Sequence, residues 1–225
     1  MKIKVLKHGP YLVTGRIPLK QEIIIPDEDR QSIEWESAKE YEVEETYSLC
    51  RCGHSRKKPF CDGSHVDYGF VGEETASHDK FEKNAKLYKG PEIDMLDNRE
   101  FCAVARFCDR GDNAWRLVKQ SDNSECREMA IKEASSCPAG RLVIMKKDGS
   151  KVEPKLKKEI ALVQDVAVGR KGPLWVKGGI EIESSNGESY EIRNRVTLCR
   201  CGKSSNMPFC DAMHLRYDHT KGLDD

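Results

Sequence analysis

At 225 residues the chain has room for one large domain or roughly two to three small ones. Charged residues make up 34% and hydrophobic ones 38%, so cores should be small and surfaces strongly charged. Lys and Arg (38) balance Asp and Glu (38), which argues against nucleic-acid binding driven by bulk charge, and no apolar run is long enough for a transmembrane helix.

The opening residues, Met1 to Lys7, lack the apolar stretch and cleavage site of a secretory signal, so a cytoplasmic location is expected. The alternation around Ile3 and Val5 leads to Gly9-Pro10-Tyr11-Leu12-Val13-Thr14-Gly15. A second apolar run, Ile23-Ile24-Ile25, is closed by Pro26. Both read as strands. Asp27 to Lys39, with Trp35 in it, is polar and reads as turn-rich. Tyr41-Glu42-Val43-Glu44-Glu45-Thr46-Tyr47 alternates and should deliver the chain into Cys50 as a strand.

Residues 50–65 read Cys50-Arg51-Cys52-Gly53-His54-Ser55-Arg56-Lys57-Lys58-Pro59-Phe60-Cys61-Asp62-Gly63-Ser64-His65. The pattern C-x-C-x8-C-x3-H returns at Cys199, Cys201, Cys210 and His214, with Arg, Gly, Ser, Pro-Phe and Asp at the same offsets. In an extended segment, residues i and i+2 face one side, so Cys50 and Cys52 can share a metal. Cys61 and His65 lie four apart, on one face of a helical turn, with Asp62 placed to cap it. Ten cysteines in a chain without a signal sequence point to metal rather than disulfides, and six of them belong to these two sites. Three thiolates and an imidazole suit either one zinc ion or a [2Fe–2S] cluster, although zinc fingers more often use C-x2–4-C.

The first copy, C-x-C-x2-S-x3-P-x-C-D-G-S-H, resembles the CDGSH iron–sulfur (NEET) family throughout. The second departs at Ala212 and Met213 but keeps the four ligand positions. The resemblance implies a [2Fe–2S] cluster at each site, with Cys50 and Cys52 on one iron and Cys61 and His65 on the other. Cys199, Cys201, Cys210 and His214 would repeat the arrangement.

Val66 to about Lys89 is charged and poorly patterned and should wrap or link. Beyond Gly90-Pro91 come Cys102 and Cys108. Trp115-Arg116-Leu117-Val118 reads as a short strand, and Glu125 to Ser135 as a helix with Met129, Ile131 and Ala134 apolar. Cys137-Pro138 stops that helix and turns into a strand at Leu142-Val143-Ile144. Cys102-x5-Cys108 and the later Cys-Pro resemble the divergent single-cluster 4Fe–4S module, which implies a third iron–sulfur site drawing on Cys102, Cys108, Cys126 and Cys137. Cys126 has no place in that pattern. Buried free thiols or a disulfide are the structural alternatives.

Lys146 to Lys158 reads as a solvated turn and linker. The last third then repeats the first. Gly172-Pro173-Leu174-Trp175-Val176-Lys177-Gly178 matches Gly9 to Gly15, and Tyr190-Glu191-Ile192 stands before Cys199 as Tyr41-Glu42-Val43 does before Cys50. Asn186-Gly187 signals a hairpin between strands near Ile180–Glu183 and Ser189–Val196. The expected fold is α+β and β-rich: two duplicated CDGSH-type β domains with short ligand-bearing helices (1–80 and 151–225) flank a small α/β ferredoxin-like module (81–150). By analogy with single-motif dimers, the outer domains should form an internal pseudo-dimer.

His8, His54, His78 and His219 have no partner spacing and no assigned role. Trp35, Trp115 and Trp175 read as core packing. Arg51 and Arg200 should point away from the metal, balancing its charge or pairing with an acid. No catalytic triad, P-loop or Rossmann fingerprint is present. The function expected is that of a non-enzymatic iron–sulfur protein for electron or cluster transfer, serving a redox partner or apo-acceptor protein rather than nucleic acid or membrane. The alternative is a structural zinc protein that binds partners.

Overall fold

A computed structural model describes residues 1–217; His219 and the end of the tail lie outside the described residues. The fold is β-rich α+β. The chain opens with β1 (Lys2–Val5) and β2 (Tyr11–Thr14), whose alternating side chains are buried at Ile3, Val5, Tyr11 and Val13. β3 (Leu19–Pro26) follows. β4 (Ser32–Tyr41) then occupies the stretch expected to be turn-rich. It is an edge strand, so its glutamates and Lys39 face solvent and give no apolar signal, while Trp35 packs inward. β4 ends at Tyr41, and the strand that enters Cys50 is the shorter β5 (Thr46–Leu49).

After helix α1 (Ser64–Asp67), residues 74–76 wrap onto the C-terminal third. Thr75 and Ala76 donate backbone N–H groups to the Met207 carbonyl, and Glu74 accepts from Ser185 and Tyr190. The central unit comprises β6 (Lys86–Lys89), β7 (Ile93–Asp97), α2 (Asn113–Lys119), α3 (Ser124–Ser136), β8 (Leu142–Lys146) and β9 (Lys151–Val152). Its antiparallel sheet has the order β6-β7-β8-β9 and shares a core with both helices. Trp115 to Val118 is helix, not strand. Ala114, Leu117 and Val118 are buried at i, i+3 and i+4, a helical face too short to read against four apolar-rich residues in a row. β9 extends the central sheet into the expected linker.

The last third adds β10 (Glu159–Asp165), β11 (Arg170–Lys177), β12 (Glu181–Glu183) and β13 (Arg195–Leu198). The Asn186-Gly187 turn is present, but its return strand is only a bridge, Glu183 to Ser189.

Two sheets result, ordered β12-β1-β2-β5 and β13-β11-β10-β3-β4. Each takes strands from both ends of the chain. β1 pairs in parallel with β12, Ile3 opposite Ile182, and β10 pairs in parallel with β3, Ile160 opposite Leu19. The registers leading to the two ligand loops correspond: Tyr11 opposes Leu49 just before Cys50, and Leu174 opposes Leu198 just before Cys199. The first repeat therefore lends β3 and β4 to the sheet of the second, and the second lends β12 to the sheet of the first. A single core, including Ile3, Leu19, Leu49, Ile160, Ile182 and Leu198, runs through residues of both.

Candidate iron–sulfur sites

The two outer loops are built alike. Cys50 N–H donates to the Pro59 carbonyl and Cys199 N–H to that of Pro208, each at 2.8 Å. Cys61 N–H donates to Ser48 and Cys210 N–H to Thr197, each at 2.9 Å. Ser55 and Ser204 hydroxyls donate to the Phe60 and Phe209 carbonyls. Asp62 accepts from Arg56 N–H at 2.8 Å and from the Ser64 hydroxyl at 2.7 Å, so it latches the loop onto the turn rather than serving as the assigned cap, which is Gly63. The Ser64 and Arg56 contacts hold its carboxyl well below the ordinary range. Asp211 repeats the latch with Ser205.

The sulfurs and imidazoles stand in pairs. Cys50 Sγ lies 3.7 Å from Cys52 Sγ, and Cys61 Sγ 3.4 Å from His65 Nδ1. The second site gives 3.6 Å for Cys199–Cys201 and 3.4 Å for Cys210–His214. Two thiolates on one tetrahedral metal at about 2.3 Å stand about 3.8 Å apart, and a thiolate–imidazole pair slightly closer. Each pair therefore fits one metal centre. Among the described residues, no three His, Cys, Asp or Glu side chains gather as a single ion requires.

The protein helps form thiolates. Cys50 and Cys52 can share one proton between their sulfurs, and the backbone N–H groups of Ser55 and Gly53 favour the thiolate on Cys50, which falls below the usual thiol range despite burial. Cys52 keeps the shared proton and rises. Cys199 and Cys201 behave the same way. Burial pushes Cys210 well up and Cys61 up, so both ask for a metal to displace the proton.

The loops also meet each other. At Gly53 an added Cβ would lie 2.8 Å from the Cys201 carbonyl oxygen, and at Gly202 2.5 Å from that of Cys52; both glycines have positive φ. Only glycine allows this approach. Tyr11, in the first repeat, donates its hydroxyl to the Cys199 carbonyl at 2.7 Å.

Arg51 and Arg200 are buried and reach backbone carbonyls, Arg51 that of Gly72 and Arg200 that of Gly172. Arg51 is 1% exposed and stacks on Phe70, which packs against Cys199, Cys201 and Met207. Its Nε and Nη1 have no protein partner. A buried guanidinium left short of acceptors fits an anionic group at the second site.

In the central unit, Cys102, Cys108 and Cys137 line one cavity of about 490 Å3 together with Asp97, Trp115 and Arg141. Burial and the neighbouring Cys137 push the Cys108 thiol up to about 12. Arg141 donates to Cys102 Sγ at 3.1 Å and grips Asp97 at 2.6 and 2.9 Å. Cys126 does not join them. It lies in the first turn of α3 and, like Cys108, packs against the apolar core of the central unit. All ten cysteines are free thiols.

His54 stacks on Tyr68 and His78 on Tyr190. Trp35 and Trp175 join the second sheet to Phe107 of the central unit, whereas Trp115 lines the central cavity and donates to Asp97. Sequence reading missed Arg195 and Arg193. Arg195 donates to the Ala134, Ser135 and Cys137 carbonyls, and Arg193 to those of Ala139 and Gly140. Their only sequence signal is a pair of arginines just upstream of the second loop.

A family model described as iron-binding zinc finger CDGSH type matches residues 8–66 and again 171–215. A second, described as divergent 4Fe–4S mono-cluster, matches residues 88–147. No curated protein and no solved structure matches.

Proposed function

We propose, for a chain that carries two CDGSH-type segments around a divergent 4Fe–4S segment, that it is a one-electron carrier holding a [2Fe–2S] cluster in each outer site and a further cluster on Cys102, Cys108 and Cys137. Such clusters, when bound, accept and give up single electrons. The observation that carries the reading is the two-plus-two pairing of ligands at both outer sites. The residues supply the rest. Paired cysteines share and release protons, Arg51 places positive charge beside the second site, and Arg141 does so at Cys102. We read the chain as a carrier rather than an enzyme.

Handing a cluster to an apo-acceptor protein is the second reading, favoured by the half-exposed Cys61 and His65 at the first site. Among the described residues no helix is long and apolar enough to cross a membrane.

Iron, zinc and acid-labile sulfide counts on anaerobically purified protein, with visible and EPR spectra, test this. About eight irons with matching sulfide are expected, and about four would leave the central cysteines unloaded. A colourless protein with zinc and no sulfide would move the assignment to the structural-zinc alternative.

A further inference from the structure

The two outer sites are alike in their loops and unlike in their surroundings. At the first, Asp62 and Gly63 are exposed, and Cys61 and His65 are only half-buried. At the second, Cys210 is 2% exposed and His214 5%.

What covers the second site is the central unit. Cys210 shares an apolar cluster with Ala103 and Ala139, against which Phe101 and Cys137 pack. Ala103, Ala139 and Cys137 also line the central cavity, so a single layer of small side chains separates it from Cys210. A narrow cleft brings His214 beside Ala103, Ala105 and Pro138. Arg195 fixes the contact. It sits on β13, which runs into Cys199, and its guanidinium holds the Cys137 carbonyl at 2.8 Å and the end of α3 at 2.7 and 2.9 Å. On its other side the second site meets the first, through the abutting loops at Gly53 and Gly202.

We propose that the second outer site is an internal relay, and that the Cys210–Ala103/Ala139–Cys137 contact is the route by which an electron crosses between the outer sites and the central cysteines. The inference rests on the iron–sulfur reading above. One electron moves at each step: the donor centre is oxidised by one, the acceptor reduced by one, and no bond forms or breaks.

The full-length protein, reduced with dithionite and poised over a range of potentials, tests this by EPR. The central signal should be split or fast-relaxing whenever the second outer site is also paramagnetic. Removing the second cluster by Cys210→Ser should leave the central signal narrow, whereas removing the first by Cys61→Ser should leave the splitting in place. An unsplit central signal in fully reduced wild type with full iron and sulfide overturns the relay and leaves the iron–sulfur reading intact. Splitting that survives Cys210→Ser but vanishes in Cys61→Ser also overturns it. Absence of sulfide overturns both. The wild-type titration needs no variant to fold.

Discussion

Gly63 and Ala212 hold the same place in the two ligand turns, and both have left-handed backbone, φ 89° and 70°. A left-handed conformation costs an L-residue with a side chain about 1–2 kcal/mol, and glycine escapes that cost at the expense of chain entropy. Nothing lies within 4 Å of a Cβ added at Gly63. Gly63→Ala should therefore lower stability by about 1 kcal/mol from the backbone alone. Ala212→Gly should be neutral or stabilising by up to about 1 kcal/mol. Thermal-unfolding midpoints of the two variants check the pair, and a stabilised Gly63→Ala would overturn the argument.

Gly53 presses on Cys201 across the boundary between the repeats. Gly53→Ala should push the two loops apart and reduce iron content at both outer sites together, although it lies in only one of them. Resolved EPR signals for the two sites measure this. A loss confined to the first site would mean that the loops are mechanically independent.

Arg51, on the first repeat, carries a buried positive charge stacked on Phe70, which packs against Cys199 and Cys201 of the second site. Arg51→Met should make the potential of the second cluster more negative, on the order of 50–100 mV for a unit charge at an effective dielectric near 20. Arg51→Lys should restore part of the shift. Potentiometric titration of both variants decides, and an unchanged potential in Arg51→Met with normal iron content would remove Arg51 from any electrostatic role.

Bound thiolates carry no proton to gain at mildly acid pH, but an imidazole that takes one stops being a ligand. His65 is the more exposed of the two histidines. The first cluster should therefore decay faster than the second at pH 6, and His65→Cys should lengthen its life. Decay of visible absorbance in wild type and variant gives the comparison; equal rates would count heavily against histidine lability.

Glu133, on α3, is 1% exposed and neither carboxylate oxygen has a partner. Burial raises its pKa to about 7. The folded state thus holds a proton that the unfolded state releases near pH 4.5, so the group costs stability as pH rises from there through 7. Glu133→Gln should match wild type near pH 4.5 and exceed it at pH 8 by roughly 3 kcal/mol. Denaturant midpoints at the two pH values check the sign.

Much of the outer sites was legible in the chain. Cys50, Cys52, Cys61 and His65 sit at spacings that strand and helix geometry turn into pairs, and the Gly9-Pro10 and Gly172-Pro173 segments announce a repeat. Other features leave no local trace. Parallel pairings such as Leu19 with Ile160 join residues far apart in sequence, so no window contains both. β4 hides because an edge strand needs few apolar side chains. The Arg195 clamp consists of bonds to main-chain carbonyls, which no side-chain pattern records. At Cys126 only the residue type is legible in the sequence; its place against the central core, away from the cavity lining, comes from the packing of α3.

The exchanged strands also set a timetable for synthesis. Lys2 waits for Glu181, and Leu19 for Ile160, before either outer sheet is complete. At roughly 5–20 residues per second, the N-terminal ligand loop leaves the ribosome about six to twenty-five seconds ahead of the strand that finishes its sheet. In that interval Cys50, Cys52 and Cys61 are open thiols on an unfinished sheet. A nascent chain truncated before β12 should therefore carry the full C-x-C-x8-C-x3-H loop yet retain no cluster, and iron should enter the first site only after synthesis is complete.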